Sequence, residues 1–141
     1  MEVGYHPAAA MWLEEIAADE ELIEVFGEVM ALIGALEQLG RSLEGEETSP
    51  IVSSQYDMHE LRRTPPSATA PYALHPPIIR ILYAFFRSPR PDPVAVILLG
   101  GDKAKLGEDW YRTNVPASER RLEEYARRHP ELKPIRRRRT R

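Results

Sequence analysis

The sequence predicts an α+β fold in which N-terminal helices pack on a small antiparallel sheet and a C-terminal helix closes the domain. Three features carry that reading: helical periodicity through the first 43 residues, two fully apolar runs of β character, and a second amphipathic stretch near the C-terminus. A chain of 141 residues is of single-domain size and can bury a real core. Residues 1–130 are expected to form that domain and residues 131–141 a basic tail.

Residues 8–43 read as helix. Trp12, Leu13, Ile16 and Ala17 share one face of a first segment. Asp19 is placed to cap a second, with Glu20 and Glu21 in its first turn, where the helix dipole favours acids. Leu22, Val25, Phe26, Val29, Ile33 and Leu36 then recur at spacings of three and four, and Gly40 is a stop. One bent helix and two separate helices both fit this pattern. Residues 44–56 read as a polar loop, and Met58–Arg63 as a strand. Thr64–Pro77 holds five prolines in fourteen residues. Proline lacks an amide hydrogen and fixes φ, so this stretch reads as a long excursion between strands.

Ile78–Phe86 (IIRILYAFF) and Val94–Gly101 (VAVILLGG) are rich in β-branched and aliphatic residues. They are joined by RSPRPDP and suit an antiparallel pair at the centre of a sheet. After Gly107 a helix is expected with an interruption at Pro116, its clearest part running from Ser118 to Arg128. The final IRRRRTR has little to bury.

Composition narrows the chemistry. There is no cysteine, which removes disulfides, thiolate catalysis and thiolate metal sites. No apolar run is long enough to span a membrane, and no secretory signal opens the chain, so a cytoplasmic protein is expected. The net charge of −3 conceals an asymmetry: residues 1–60 carry 14 acids and one base, residues 61–141 carry 8 acids and 18 bases. Either the basic half meets an anionic partner, or the two halves neutralise each other within the fold.

The glycines of GGDK (Gly100–Lys103) match neither a phosphate-binding loop nor a dinucleotide fingerprint, and no histidine spacing suits a metal. No cofactor is therefore expected. What remains is a set of cations on or beside strands: Arg62 and Arg63, Arg80, Lys103 and Lys105. With period-two alternation, Ile79, Ile81, Tyr83 and Phe85 form an apolar face for the helices, and Arg80 belongs to the other face, expected to be open. Arg80 either pairs with Glu60 or Asp102, or joins Arg62 and Lys103 in a cationic cluster. Such a cluster suits a phosphodiester, because guanidinium groups hold phosphate oxygens bidentately and fixed cations stabilise charge that develops in a transition state. RNA brings its own nucleophile, the 2′-hydroxyl, and needs no metal for cleavage.

The order of these segments adds a resemblance. Glu60-Leu61-Arg62, Arg80-Ile81-Leu82-Tyr83-Ala84 and Leu99-Gly100-Gly101-Asp102-Lys103, followed by Asp109-Trp110-Tyr111 and the last helix, resemble the RelE/ParE superfamily of bacterial toxins, in its HigB-like, phage-derived branch. The likeness covers roughly residues 10–128. It implies a toxin of a type II toxin–antitoxin system that cleaves mRNA, usually in the ribosomal A site, by attack of the 2′-hydroxyl on the adjacent phosphate.

Carried over position by position, Arg62 and Arg80 would bind the reacting phosphate, and Lys103 would assist or balance charge. Tyr111 would transfer a proton, stack on a base, or simply pack the last helix. Arg63 and Lys105 would contact RNA. The implied partners are an antitoxin with a helix-turn-helix domain, mRNA and the ribosome. ParE-like members inhibit DNA gyrase instead, and a catalytically inactive relative would only bind antitoxin. Two features depart from the pattern. The proline-rich insertion is longer than the usual turn and could bring Tyr72 or His75 to the site. The overall charge is acidic, although the arginine tail could restore local attraction to RNA, its alternative being a disordered solubilising tail.

Overall fold

The computed structural model describes residues 1–62, 78–104 and 106–138. Arg63, the proline-rich segment with Tyr72 and His75, Lys105 and residues 139–141 lie outside the described residues, as does the side chain of Glu46. The elements are β1 (Val3–Tyr5), α1 (Pro7–Ala18), α2 (Ile23–Leu39), β2 (Thr48–Pro50), β3 (Met58–Arg62), β4 (Ile79–Arg87), β5 (Val94–Asp102), α3 (Asp109–Arg128) and β6 (Lys133–Pro134). The α+β class holds.

The N-terminal helical region is two helices. Asp19 ends α1 in an extended conformation, and its Oδ1 accepts the Glu21 N–H at 2.9 Å, capping a short 3₁₀ turn that leads into α2. Gly40 closes α2 with φ of 53°, a conformation that L side chains rarely adopt, and its N–H bonds the Leu36 carbonyl. At the front of α1, Pro7 occupies the first turn and His6 Nδ1 accepts the Ala8 N–H at 3.0 Å.

The sheet runs β1-β5-β4-β3-β2, with β6 also pairing β4. The expected central pair β4–β5 is antiparallel, and β3 joins β4 antiparallel with Arg62 opposite Arg80. Three short strands extend this core. β1 adds a parallel edge beside β5, which makes the sheet mixed, and β2 lies beside β3 within the stretch expected as loop. β6 takes the place beside β4 that β3 vacates at Asp57. The Ile135 N–H bonds the Phe85 carbonyl, and the Asp57 N–H bonds the Ile135 carbonyl. The basic segment is therefore zipped to the sheet as far as Arg137, whose N–H bonds the Gln55 carbonyl.

Both faces of the sheet are covered. Leu61, Ile81, Tyr83, Phe85, Ala95 and Ile97 pack under α1 and α2, as alternation predicts. On the other face, Met58, Leu82, Ala84, Phe86, Val96 and Leu98 pack under Trp110, Val115, Leu122 and Tyr125 of α3. The face expected to be open is thus largely roofed by α3. α3 is also continuous through Pro116, where an interruption was expected. The proline ring points to solvent, and the buried residues on either side of it anchor both halves to the sheet. That packing outweighs the hydrogen bond a proline cannot donate.

Two irregularities fit β5 between these layers. Leu82 faces Leu99 and Tyr83 faces Ile97, so Leu98 is a bulge residue; its carbonyl accepts a hydrogen bond from Arg121 of α3 at 2.9 Å. Beyond the bulge, Gly100 and Gly101 continue the strand rather than ending it. A Cβ on Gly100 would overlap the Trp12 ring of α1, while one on Gly101 would stand 3.2 Å from the Trp110 ring of α3. Each glycine admits one tryptophan, on opposite faces.

Gly100→Ala is accordingly expected to destabilise the protein by about 1–3 kcal/mol through overpacking. Gly27→Ala, in the interior of α2 with open space around it, should instead gain up to about 1 kcal/mol. Urea unfolding of the two variants beside the wild type checks both signs.

Candidate active site

The register of three strands assembles the site. Arg62 on β3 faces Arg80 on β4, which faces Gly101 on β5. Glu60 lies two residues before Arg62 and so shares its face, toward α3. The first turn of α3 brings Tyr111 over the same point, where its hydroxyl donates to Glu60 Oε2 at 2.7 Å. Arg80 Nε stands 4.0 Å from that oxygen, and an Arg62 terminal nitrogen stands 4.0 Å from Glu60 Oε1. A carboxylate is thus held among two guanidinium groups and a phenol.

Lys103, just past β5, is fixed by its backbone N–H to the Ile78 carbonyl at 2.9 Å. Its Nζ lies 5.2 Å from the Tyr111 ring centroid and 3.5 Å from Glu108 Oε1. Asp102, the other acid considered for Arg80, is occupied elsewhere: its Oδ1 accepts the N–H groups of Ile78 and Ala104 at 2.8 and 2.9 Å. Arg62, Arg80, Lys103 and Tyr111 are therefore brought to one place, while Arg63 and Lys105 lie outside the described residues.

Exposure grades across the cluster. The side chains of Glu60, Arg80, Lys103 and Arg62 are 6, 11, 15 and 39 % exposed, so the cluster opens to solvent on the Arg62 side. Arg80 donates through one terminal nitrogen to the Ile79 carbonyl at 3.0 Å, but its Nε is buried and has no hydrogen-bond partner among the described residues. A buried donor left unpaired is costly, and an anion entering the cluster would satisfy it. The Tyr111 hydroxyl is pushed up to about 12, first by burial and then by the hydrogen bond and charge of Glu60, with Arg80 acting in the opposite direction. Tyr111 is therefore an uncharged donor at neutral pH.

Glu60 is the residue that sequence reasoning placed only as an ion-pair alternative. Alternation already put it on the Arg62 face. What could not be read locally is that α3 would return fifty residues later to bond it. His59, its neighbour, points to the α2 face, where it stacks on Tyr83 and meets Asp57 at 2.7 Å.

No family model matches the chain, and no solved structure matches it. One curated relative does: the protein named "Putative toxin HigB3" of Mycobacterium tuberculosis (strain ATCC 25618 / H37Rv). It is 32% identical over 106 residues, which span 72% of this chain and 77% of the relative. The chain belongs to the HigB-like toxins of the RelE/ParE superfamily. In this HigB-like toxin no helix among the described residues is long and apolar enough to cross a membrane.

Burial of the Tyr111 hydroxyl, and after it the bond to Glu60, makes the neutral phenol a measurable part of stability. Its contribution is fully present below pH 10, where tyrosine is neutral even in the unfolded chain, and is lost as pH rises toward about 12. Tyr111→Phe should cost about 1–3 kcal/mol at pH 7. Its deficit against wild type should shrink between pH 10 and 12, as read by denaturant unfolding at stepped pH.

Proposed function

We propose that this toxin is a metal-independent endoribonuclease that cleaves mRNA presented by the ribosome. The observation that carries the reading is the Glu60 carboxylate set among Arg62, Arg80 and Tyr111, with Arg80 Nε unspent and aimed into the cluster. Carboxylate and cations together supply what 2′-hydroxyl chemistry requires: a base for the nucleophile and fixed positive charge for the phosphate.

Glu60 takes the proton of the 2′-hydroxyl, and the 2′-oxygen forms a bond to the adjacent phosphorus. Arg80 and Arg62 hold the non-bridging oxygens as charge builds on them. The phosphorus–5′-oxygen bond breaks, and the leaving oxygen takes a proton from the Lys103 ammonium, which solvent then restores. The products are a 2′,3′-cyclic phosphate and a 5′-hydroxyl. Tyr111 in this scheme orients Glu60 through its hydroxyl, since a phenol that ionises near 12 is a poor base at neutral pH. The cognate antitoxin, expected to carry a helix-turn-helix domain, would silence the toxin by covering the Arg62 opening. Such a substrate places the protein in the cytoplasm.

Induced expression of wild type should arrest growth and create new mRNA 5′-hydroxyl ends. Glu60→Gln, which keeps the size and the Tyr111 bond, should lower cleavage by ~10²-fold or more, and Arg80→Ala should abolish both arrest and cuts at matched protein levels. Arrest without mRNA cuts, indifferent to both substitutions, would sink the nuclease reading and favour a gyrase inhibitor. No arrest from well-expressed wild type would point to an inactive relative that only binds antitoxin.

A further inference from the structure

Arginines collect at a second place, the end of the sheet remote from Arg80. There the β4–β5 turn, the segment after α2 and the C-terminal strand meet. Arg41, Arg87 and Arg90 line a cavity of about 200 Å³ whose remaining wall is Ser88, Pro91, Pro93 and Ile135. On the other side of Ile135, Arg136, Arg137 and Arg138 line a wider groove with residues 52–55. The two features are neighbours along the chain, one lined by Ile135 and the other by the three arginines that follow it.

The cavity is held in shape before anything binds. Arg41 pairs with Asp57 at 2.6 Å and lies over the Phe85 ring at 4.2 Å. In the turn, Ser88 Oγ accepts the Arg90 N–H at 3.1 Å and donates to the Asp92 carbonyl at 2.9 Å, with three prolines stiffening the same loop. Arg137 donates to the Ile51 carbonyl at 2.9 Å and Arg136 to Gln55 Oε1 at 2.8 Å. The nearby acids of α3 are engaged otherwise, Glu119 with Ser54 and Glu123 with the Tyr56 hydroxyl. No carboxylate among the described residues pairs with Arg87, Arg90 or Arg138, and all three are exposed.

We infer that this pocket and the adjoining groove bind the phosphodiester backbone of RNA at a position separate from the Glu60 cluster. The guanidinium groups match phosphate oxygens, and the proline–isoleucine wall suits a ribose or base. Arg80 and Arg87 are seven residues apart on one strand, roughly 23 Å along its axis and on opposite faces of the sheet, so an RNA touching both passes around the sheet edge and needs more than about seven nucleotides. A long RNA could therefore occupy both places, whereas a very short one could not. The inference rests on RNA being the substrate of the proposed function, but its test does not require cleavage.

The test is salt-dependent anisotropy with fully 2′-O-methylated RNA of 20 and of 4 nucleotides, which cannot be cut. Arg87→Ala/Arg90→Ala should weaken binding of the 20-mer at least tenfold at 150 mM salt. It should also reduce the slope of log affinity against log salt by about 1.4, while leaving the 4-mer unaffected. The control is Arg120→Ala/Arg127→Ala, which removes the same charge from the exposed side of α3. An unchanged slope in the first pair, or equal losses in both, overturns the inference. So does a first pair that binds RNA normally but no longer binds the antitoxin, because the pocket then serves an acidic protein segment. Failure here with mRNA cuts intact leaves the nuclease reading standing; the reverse pattern removes the nuclease and keeps the second contact.

Discussion

The central pair β4–β5 is buried on both faces, and the rest of the structure follows from that constraint. Helices cover either side, so both strands must be apolar at nearly every position, with no room for the polar alternation of a half-exposed sheet. Charge enters this pair only at its ends: Arg80 at one, beside Arg62 and Lys103, and Arg87 at the other. The same demand explains the two glycines. A strand pressed by a tryptophan from each side has no space for a Cβ on Gly100 and only tight space for one on Gly101.

At the Arg80 end the protein sets opposed charges close together without pairing them tightly. Among the described residues, the Arg62 and Arg80 guanidinium contacts to Glu60 are 4.0 Å long, beyond hydrogen-bond reach, and the short bond to the carboxylate comes from a neutral phenol. A closed buried salt bridge would satisfy its donors internally. Here Arg80 keeps an unspent, largely desolvated donor, which fits a site awaiting an anion better than a purely structural ion pair.

The charge asymmetry of the sequence becomes a separation in space. Glu14, Glu15, Glu20, Glu21 and Glu24 are exposed on the α1–α2 layer. The arginines lie across the sheet from them, on α3, or at the end where the β4–β5 turn meets the C-terminal strand. Glu60 meets Arg62 and Arg80 across the two halves, while these exposed acids and the exposed arginines occupy different parts of the surface. A chain with a net charge of −3 can therefore still present a positive surface to a polyanion, because fields at contact distance depend on local rather than total charge.

What the sequence by itself determined was set by local physics. Apolar runs, helical spacing, the cap at Asp19 and the stop at Gly40 act within a few residues, and they specified the N-terminal helical region, though not its division into α1 and α2, together with β3, β4 and β5 and the face on which Arg80 stands. β1, β2 and β6, of three, three and two residues, escaped because such lengths show no periodicity; they exist through hydrogen bonds offered by distant strands. The continuity of α3 through Pro116 was likewise decided by packing of its buried face. The tertiary structure alone revealed Glu60 as the centre of the cluster. Its partners are drawn from β3, β4 and α3, up to fifty-one residues away in sequence, and only strand register and helix docking bring them within reach.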